Sequence, residues 1–162
     1  MTKALAKKGA EKQLVHWVNK MLTGRTVTAT LGDDTIQKEV KTGTPEGGVL
    51  SAPLFNMVMS EGVDLFPEEE KIDCFCFADD LALEEEGNDE TKIIESLQTG
   101  VNKLARWAER QNLSFNPSKT KAMIFTRKHK YRKPRIEIQG QEIEYVDTFK
   151  YLGVTFDTKL NW

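Results

Sequence analysis

The strongest constraint on the fold is a pair of adjacent aspartates between two short apolar stretches. Residues 72–77 are apolar apart from Asp73, and residues 81–83 are apolar again. Apolar runs on both sides of a short polar step are typical of two strands joined by a tight turn. The sequence therefore predicts a β-hairpin with Asp79 and Asp80 at its tip.

Two neighbouring carboxylates at the end of an apolar strand repel each other unless a cation or a proton relieves the repulsion. Mg²⁺ suits such a place, because it takes a few carboxylates and completes its shell with phosphate oxygens and water. The alternative is that Asp-Asp is ordinary turn chemistry, which is our interpretation of the second such pair, Asp33 and Asp34. The dipeptide alone leaves both interpretations open.

The composition limits the class of protein. A length of 162 residues predicts one domain, and 39% hydrophobic with 30% charged residues is typical of a globular chain. No stretch approaches the roughly 20 apolar residues of a membrane span, and the N-terminus lacks the apolar run of a signal peptide. We therefore expect an intracellular protein without membrane contact, in either cytoplasm or nucleus.

The two cysteines predict neither a disulfide nor a zinc site. Cys74 and Cys76 are one residue apart, which disfavours a mutual bridge, and His16 and His129 are far from them in sequence. Any metal site should therefore have oxygen ligands, and we expect both thiols in the core.

The net charge of −2 hides a segregated distribution. Residues 61–90 sum to −12, whereas residues 1–30 sum to +5 and residues 91–135 to +10. An acidic centre between basic flanks is typical of a site that holds cations centrally and a polyanion at its sides. Most of the glutamates in the centre are expected to be solvated loop residues.

Hydrophobic periodicity predicts three main helices. One covers residues 10–22 and ends near Gly24, and one begins at Ser51 as N-cap and ends near Pro67. The third is capped by Asn88 or Asp89 and ends about Asn112.

Strands are predicted around these helices, which gives an α+β layered domain. A first hairpin comprises residues 25–31 and 36–40, and the Asp79–Asp80 hairpin is the second. The carboxyl-terminal strands are predicted at residues 113–115, 121–126, 136–138, 142–146 and 149–156.

Four short segments in order resemble the palm region of reverse transcriptases from non-LTR retrotransposons. They are Gly-Thr-Pro-Glu-Gly-Gly-Val-Leu-Ser at 43–51, Phe-Ala-Asp-Asp at 77–80, Asn-Pro-Ser-Lys-Thr at 116–120 and Tyr-Leu-Gly-Val at 151–154. The resemblance implies a polymerase palm-like antiparallel sheet packed on helices. It makes residues 1–162 a partial domain, in which the primer-grip and thumb connection begins near residues 148–162.

The resemblance also implies site residues and partners. Asp79 and Asp80 would hold two Mg²⁺ ions, with Mn²⁺ as a substitute, for nucleotidyl transfer from a dNTP to a DNA primer on an RNA template. The residues expected to contact nucleotide or template are Pro45, Glu46, Gly47, Phe77 and Lys119. The expected primer grip is Tyr151, Leu152 and Gly153.

A basic run adds candidate phosphate contacts. They are Arg127, Lys128, Lys130, Arg132, Lys133 and Arg135. A solvated loop explains this run equally well, just as a solvated turn lysine explains Lys119 and a core strand position explains Leu152.

The chain departs from the family pattern at two points. The family uses a further aspartate on an upstream strand, but residues 1–32 contain no Asp, and Glu11 is their one acid. Glu46 stands where the family has Gln, and an ionised carboxylate only accepts hydrogen bonds and repels phosphates. We therefore expect a domain truncated at both ends, without its catalytic strand, fingers or thumb.

Two main hypotheses of function follow from the sequence. One is an active RNA-directed DNA polymerase, and the other is an inactive retrotransposon remnant that at most binds nucleic acid, which we favour for the isolated chain. A calcium module built on Asp79, Asp80 and Glu84 is a third hypothesis. It is disfavoured because the spacing does not fit a helix-loop-helix calcium site.

Overall fold

A computed structural model describes residues 1–161. The chain divides into two compact units. The first comprises Met1–Asp64 with Cys76–Asp80, and the second comprises Leu65–Phe75 with the chain from Leu81 onward. Among the described helices, none is both long and apolar enough to cross a membrane.

Three helices form the core of the first unit. They are α1 (Thr2–Lys7), α2 (Lys12–Leu22) and α3 (Ser51–Val63). Their buried contact is made by Leu5, Val18 and Leu54. Gly9 lies between α1 and α2, and its φ of +83° is a conformation that residues with a side chain rarely adopt.

The start and end of α3 differ from the prediction. Ser51 is the first helical residue rather than the N-cap, which is Leu50 and makes no side-chain capping bond. The Ser51 hydroxyl instead donates a hydrogen bond of 2.5 Å to the Pro45 carbonyl in the preceding loop. The helix ends at Val63, before the predicted limit near Pro67.

An antiparallel hairpin follows α2. Its strands are β1 (Arg25–Leu31) and β2 (Asp34–Val40), paired from Arg25 opposite Val40 to Leu31 opposite Asp34. The predicted hairpin is confirmed, although β2 begins two residues earlier than expected. Except for Arg25 and Val40, every residue of the two strands is exposed.

The second unit is organised around α4 (Glu90–Arg110). Its predicted cap is confirmed, because the Asp89 carboxylate accepts hydrogen bonds from the backbone N–H groups of Thr91 and Lys92, at 3.1 and 3.3 Å. Ile94 and Val101 of this helix pack on a buried cluster of isoleucines. The members of the cluster are Ile136, Ile138 and Ile143.

The second hairpin joins β3 (Ile72–Phe77) to β4 (Asp80–Glu85). Helix α4 approaches its base closely at Gly100. A Cβ atom there would lie 2.9 Å from Cδ1 of Ile72 and 3.3 Å from Cδ1 of Leu83. The absence of a side chain at Gly100 therefore lets the helix pack against the two strands.

Six short strands complete the described chain. They are β5 (Lys121–Ala122), β6 (Glu137–Ile138), β7 (Gln141–Glu142), β8 (Glu144–Tyr145), β9 (Thr148–Tyr151) and β10 (Val154–Asp157). Strand β5 pairs with β8 in parallel, whereas β6–β7 and β9–β10 are antiparallel pairs. Within residues 1–161, all strands belong to two-stranded sheets. The predicted mixture of helices and strands is confirmed.

The carboxyl-terminal strands have other bounds than predicted, and most are shorter. Residues 113–115 form no strand, and the strand expected over 121–126 stops at Ala122. The strand expected over 142–146 is divided between β7 and β8, and the one expected over 149–156 is a hairpin. That hairpin turns at Leu152 and Gly153, with φ of +48° and +87°.

Strand β6 has an unusual neighbour, the side-chain amide of Gln98 on α4. The Gln98 Nε2 atom donates a hydrogen bond to the Glu137 carbonyl at 2.9 Å, and the Glu137 N–H donates one to Gln98 Oε1 at 2.8 Å. The amide therefore satisfies both backbone groups of one strand residue.

Candidate metal and nucleic-acid site

The predicted metal-binding pair lies at the turn between β3 and β4. The turn residues are Ala78 and Asp79, whereas Asp80 is already the first residue of β4. We expected both aspartates at the tip of the hairpin. The turn lies one residue earlier in the chain, so that only Asp79 is a turn residue. Both carboxylates are exposed to solvent, which leaves their oxygens accessible to a cation.

Backbone geometry at this turn is strained. Ala78 has a φ of +52°, in the left-handed region that costs a residue with a Cβ atom roughly 1 kcal/mol. The Cys76 thiol donates a weak hydrogen bond to the Ala78 carbonyl, with 3.5 Å between the sulfur and the oxygen. A strained turn persists only where the surrounding structure holds it in place. Such turns are common at functional sites.

The side chains of β3 alternate between two environments. Ile72 is buried and Cys74 and Cys76 are half-buried on one face, while Phe75 and Phe77 are exposed on the other. We expected both cysteines in the core, but both are only half-buried. Phe77 is 63% exposed, which leaves its ring accessible from solvent.

The Asp79 carboxylate influences the neighbouring thiol. Partial burial raises the pKa of Cys76, and the negative charge of Asp79 raises it further. This thiol is therefore protonated at neutral pH and a poor metal ligand.

The donor set for a metal is incomplete within the chain as described. Among residues 1–161, no cluster of three or more His, Cys, Asp or Glu side chains could enclose an ion. Asp79 and Asp80 still fit a divalent cation that takes its remaining ligands from water and phosphate oxygens.

Arg25 fixes the start of the predicted nucleotide loop, residues 43–51. Its guanidinium donates hydrogen bonds to the carbonyls of Thr42 and Gly43 at 3.1 and 2.8 Å, and to that of Leu22 at 3.0 Å. The sequence analysis missed this role. A basic residue just after a helix often binds the last carbonyls, and that pattern was the available signal.

Within that loop, tight backbone contacts present the predicted binding residues. The Ser51 N–H bonds to the Gly48 carbonyl at 2.9 Å, and Gly47 has a φ of +72°. Pro45 is half-buried, whereas Glu46 and Gly47 are exposed. The Glu46 side chain is therefore open to solvent.

Lys119 follows a well-formed turn in the second unit. The Asn116 side-chain oxygen accepts bonds from the Ser118 hydroxyl and N–H at 2.6 and 3.1 Å, and the Asn116 carbonyl accepts one from the Lys119 N–H at 3.1 Å. Such Asx turns fix the backbone locally. Lys119 is exposed at its end, where both a phosphate contact and a solvated lysine fit.

The predicted primer grip lies at the β9–β10 turn. Tyr151 is the last residue of β9, and Leu152 and Gly153 are the two turn residues. Leu152 is 49% exposed, so the alternative that it occupies a core strand position was wrong. A leucine in the left-handed region is disfavoured, which explains why the turn was not predicted.

Half of the basic run is paired with acids of its own unit. Lys128 contacts Glu90 at 2.9 Å, Lys133 contacts Asp147 at 3.0 Å, and Arg135 contacts Glu137 and Glu142 at 2.7 and 3.3 Å. The hydrogen bond from Lys128 lowers the pKa of Glu90, and the one to Asp147 raises the pKa of Lys133. Each shift favours the charged form of Glu90 and of Lys133.

The other half consists of Arg127, Lys130 and Arg132. All are exposed, and within residues 1–161 none of their side chains forms a salt bridge. The Arg132 N–H reaches Glu90 at 3.5 Å, and the positive charge of Arg132 helps to lower the pKa of that carboxyl without forming a salt bridge. These residues are therefore the stronger candidates for phosphate contacts.

A surface groove of about 420 Å³ lies on another part of the second unit. Its wall includes Glu70 and Lys103, whose side chains form a close ion pair at 2.6 Å, and Lys103 also lies 5.7 Å from the ring centre of Phe66. None of the predicted site residues lines this groove.

Comparison with known proteins agrees with the motifs. The family described as Reverse transcriptase (RNA-dependent DNA polymerase) matches residues 2–156. The chain is 27% identical over 162 residues to an RNA-directed DNA polymerase from the mobile element jockey of Drosophila melanogaster. That match covers 97% of this chain and 18% of the relative.

Two further relatives come from other mobile elements. A probable RNA-directed DNA polymerase from transposon BS of Drosophila melanogaster is 29% identical over 78% of the chain and 15% of its own length. A Pol polyprotein from the type-1 retrotransposable element R2 of Popillia japonica is 28% identical, over 93% of the chain and 27% of its own length. The predicted resemblance to non-LTR retrotransposon enzymes is thereby confirmed, and the chain belongs to the reverse transcriptase family.

Proposed function

We propose that the chain forms the palm part of a reverse transcriptase, supplies its metal-binding aspartate pair, and binds nucleic acid on its own without copying it. The observation that carries the proposal is the exposed Asp79–Asp80 pair at the β3–β4 turn, within the residues 2–156 that match the family. The chain spans less than a third of each relative described above. The activity of those longer proteins is therefore part of the proposal.

The two carboxylates are the proposed ligands of divalent cations, Mg²⁺ or Mn²⁺. Such ions, when bound, stabilise the attacking and leaving oxygens of a phosphoryl transfer. Asp79 and Asp80 would hold these cations beside the triphosphate of a dNTP, and Phe77 would offer its exposed ring to the nucleotide. Pro45, Glu46 and Gly47 would line the template and nucleotide side.

The proposed lack of polymerisation follows from the donor set. With two carboxylates and no cluster of three ligating side chains among residues 1–161, an ion is held weakly and its position is poorly fixed. Nucleotidyl transfer depends on positioning and electrostatic stabilisation, so a loosely held ion gives little catalysis. Glu46 would further disfavour a phosphate backbone at the loop.

Nucleic acid is the proposed partner of the basic residues. Arg127, Lys130 and Arg132 can meet phosphates directly, whereas Lys128, Lys133 and Arg135 must first leave their carboxylate partners. Lys119 would approach nucleotide phosphates, and Tyr151, Leu152 and Gly153 would support an RNA–DNA primer end. Binding of this kind is largely independent of sequence and weakens with salt.

Metal binding gives the most direct test, and the chain contains its own control. Mn²⁺ binding is measured by electron paramagnetic resonance for the parent chain, for Asp79→Asn with Asp80→Asn, and for Asp33→Asn with Asp34→Asn. We expect the first double variant to lose binding and the second to retain it, although both remove two exposed carboxylates at a hairpin turn. Equal effects of the two variants would reject the assignment.

Primer extension on an RNA template, with dNTPs and Mg²⁺ or Mn²⁺, tests the lack of polymerisation. We expect no extension by the parent chain. Extension that disappears in Asp79→Ala would show that the chain is an active polymerase and that a third protein ligand is dispensable.

Fluorescence anisotropy with a labelled RNA–DNA duplex tests the nucleic-acid interface. Replacing Arg127, Lys130 and Arg132 by Gln should reduce the slope of log affinity against log salt by about one for each phosphate that is no longer neutralised. Replacing Lys128, Lys133 and Arg135 by Gln changes the net charge equally but should reduce the slope less. Binding that is indifferent to salt and to both sets would refute the interface.

A further inference from the structure

The β1–β2 hairpin has one apolar face and one polar face. Its register places Val27, Ala29, Leu31 and Ile36 on the same side, with Thr26, Thr28, Thr30 and their partners on the other. Val27 is 59%, Ile36 71% and Leu31 87% exposed. The apolar face is therefore open to solvent from Val27 to Leu31.

An uncovered apolar face is costly. A single two-stranded hairpin is at best marginally stable in water, and an exposed apolar row with open strand edges invites association. A surface that covers Val27, Leu31 and Ile36 would remove this cost.

Two opposite charges flank the apolar residues. Lys38 lies opposite Val27 on one side of Ile36, and Asp34 lies opposite Leu31 on the other side, all on the same face. They are four residues apart on one strand, about 13 Å, which is too far for an ion pair within the hairpin. Among residues 1–161, neither side chain has a salt-bridge partner. The face is thus positive at one end, apolar in the middle and negative at the other.

We infer that this face binds a second copy of the chain. A two-fold axis lying across the strands at the Ala29–Ile36 pair would stack Ile36 on its own copy and Val27 of one chain on Leu31 of the other. The same rotation brings Lys38 of one copy to Asp34 of the other, twice. Self-complementarity of this kind is what an isologous dimer interface requires.

The size of the face sets the strength of the dimer. Seven residues at about 3.3 Å each give a face roughly 23 Å long and about 10 Å wide, hence about 230 Å² per copy. Stable interfaces bury about 800 Å² per partner, so association through this face alone is weak and depends on protein concentration.

Sedimentation velocity of the full chain, over roughly 10 µM to 1 mM, tests the inference. We expect a monomer–dimer equilibrium within this range. Lys38→Asp and Asp34→Lys should each weaken the dimer about tenfold, because each places like charges in contact twice. The double exchange should restore the affinity to within about threefold.

Two further variants separate the apolar face from the polar one. Ile36→Thr should weaken the dimer, whereas Glu39→Lys on the polar face should leave it unchanged. A chain that stays monomeric throughout the range, including one whose hairpin binds nucleic acid or another protein instead, overturns the inference. The inference is also overturned if the double exchange dimerises no more tightly than the single exchanges. Should a variant misfold by circular dichroism, hydrogen exchange of the parent chain decides, because protection of the β1–β2 amides must rise with concentration.

Discussion

The two longer hairpins carry the same Asp-Asp dipeptide at the same place in very different surroundings. In both, the first aspartate is a turn residue and the second begins the returning strand. The β1–β2 hairpin is exposed on both faces, and its turn uses Gly32 at a φ of +62°. The β3–β4 hairpin has a buried residue, Ile72, at its base and a strained alanine, Ala78, in its turn.

This difference shows why the dipeptide is a poor guide to function by itself. Asp-Asp is good turn chemistry in either hairpin, and its position relative to the strands is the same. What separates the two is strain at Ala78, packing of the base against α4, and the half-buried thiol of Cys76. A turn conformation that is held in place despite backbone strain is expected at a functional site.

The largest expected effect concerns stability. Ile72→Ala should lower the free energy of unfolding by about 2–5 kcal/mol, because it removes a buried side chain and leaves a cavity. Ile36→Ala should change it by less than about 0.5 kcal/mol, since Ile36 is exposed. Urea denaturation at low protein concentration measures both. Equal losses would contradict the proposed difference between the hairpins.

Exchanging the turn residues should give smaller effects of opposite sign. Ala78→Gly should stabilise the chain by about 1 kcal/mol, because glycine adopts a positive φ without steric cost. Gly32→Ala should destabilise it by a similar amount for the same reason. Thermal denaturation of the two variants measures these shifts. A loss of stability in Ala78→Gly would show that the turn is not strained.

The smallest expected effect is chemical. In a Cys74→Ser background, Asp79→Asn should lower the pKa of Cys76, since the Asp79 charge helps to raise it. At a pH below that pKa, more thiolate is then present, and iodoacetamide should alkylate Cys76 faster. Asp33→Asn is the matched control and should leave the rate unchanged. An unchanged rate in Asp79→Asn would show that the charge of Asp79 does not influence the Cys76 thiol.

Local signals predicted the elements whose cause is local. The β1–β2 hairpin and the cap at Asp89 were both predicted from neighbouring residues and are confirmed. The β9–β10 turn was missed because leucine rarely adopts a positive φ, so nothing in Tyr-Leu-Gly-Val marked Leu152 as a turn residue. The parallel pairing of β5 with β8 joins residues more than 20 positions apart and has no local signal.

The candidate site likewise contains residues that could be predicted from local sequence and contacts that could not. Motif order identified the family and the Asp79–Asp80 hairpin, because the relevant residues are contiguous. The partners of the basic run were not predictable, since Lys128 meets Glu90 and Lys133 meets Asp147 only once the chain has folded. Arg25 was missed for a similar reason, because its acceptors at Thr42 and Gly43 lie across the whole first hairpin.

The Gln98 amide has a consequence for which substitutions the chain tolerates. By bonding both the N–H and the carbonyl of Glu137, it acts as a one-residue strand at the edge of β6. That edge position is then unable to template pairing with another polypeptide. Only a primary amide offers a donor and an acceptor in this arrangement, and asparagine is one methylene too short. Replacing Gln98 should therefore leave both backbone groups of Glu137 open to pairing with another polypeptide, although position 98 is not among the proposed site residues.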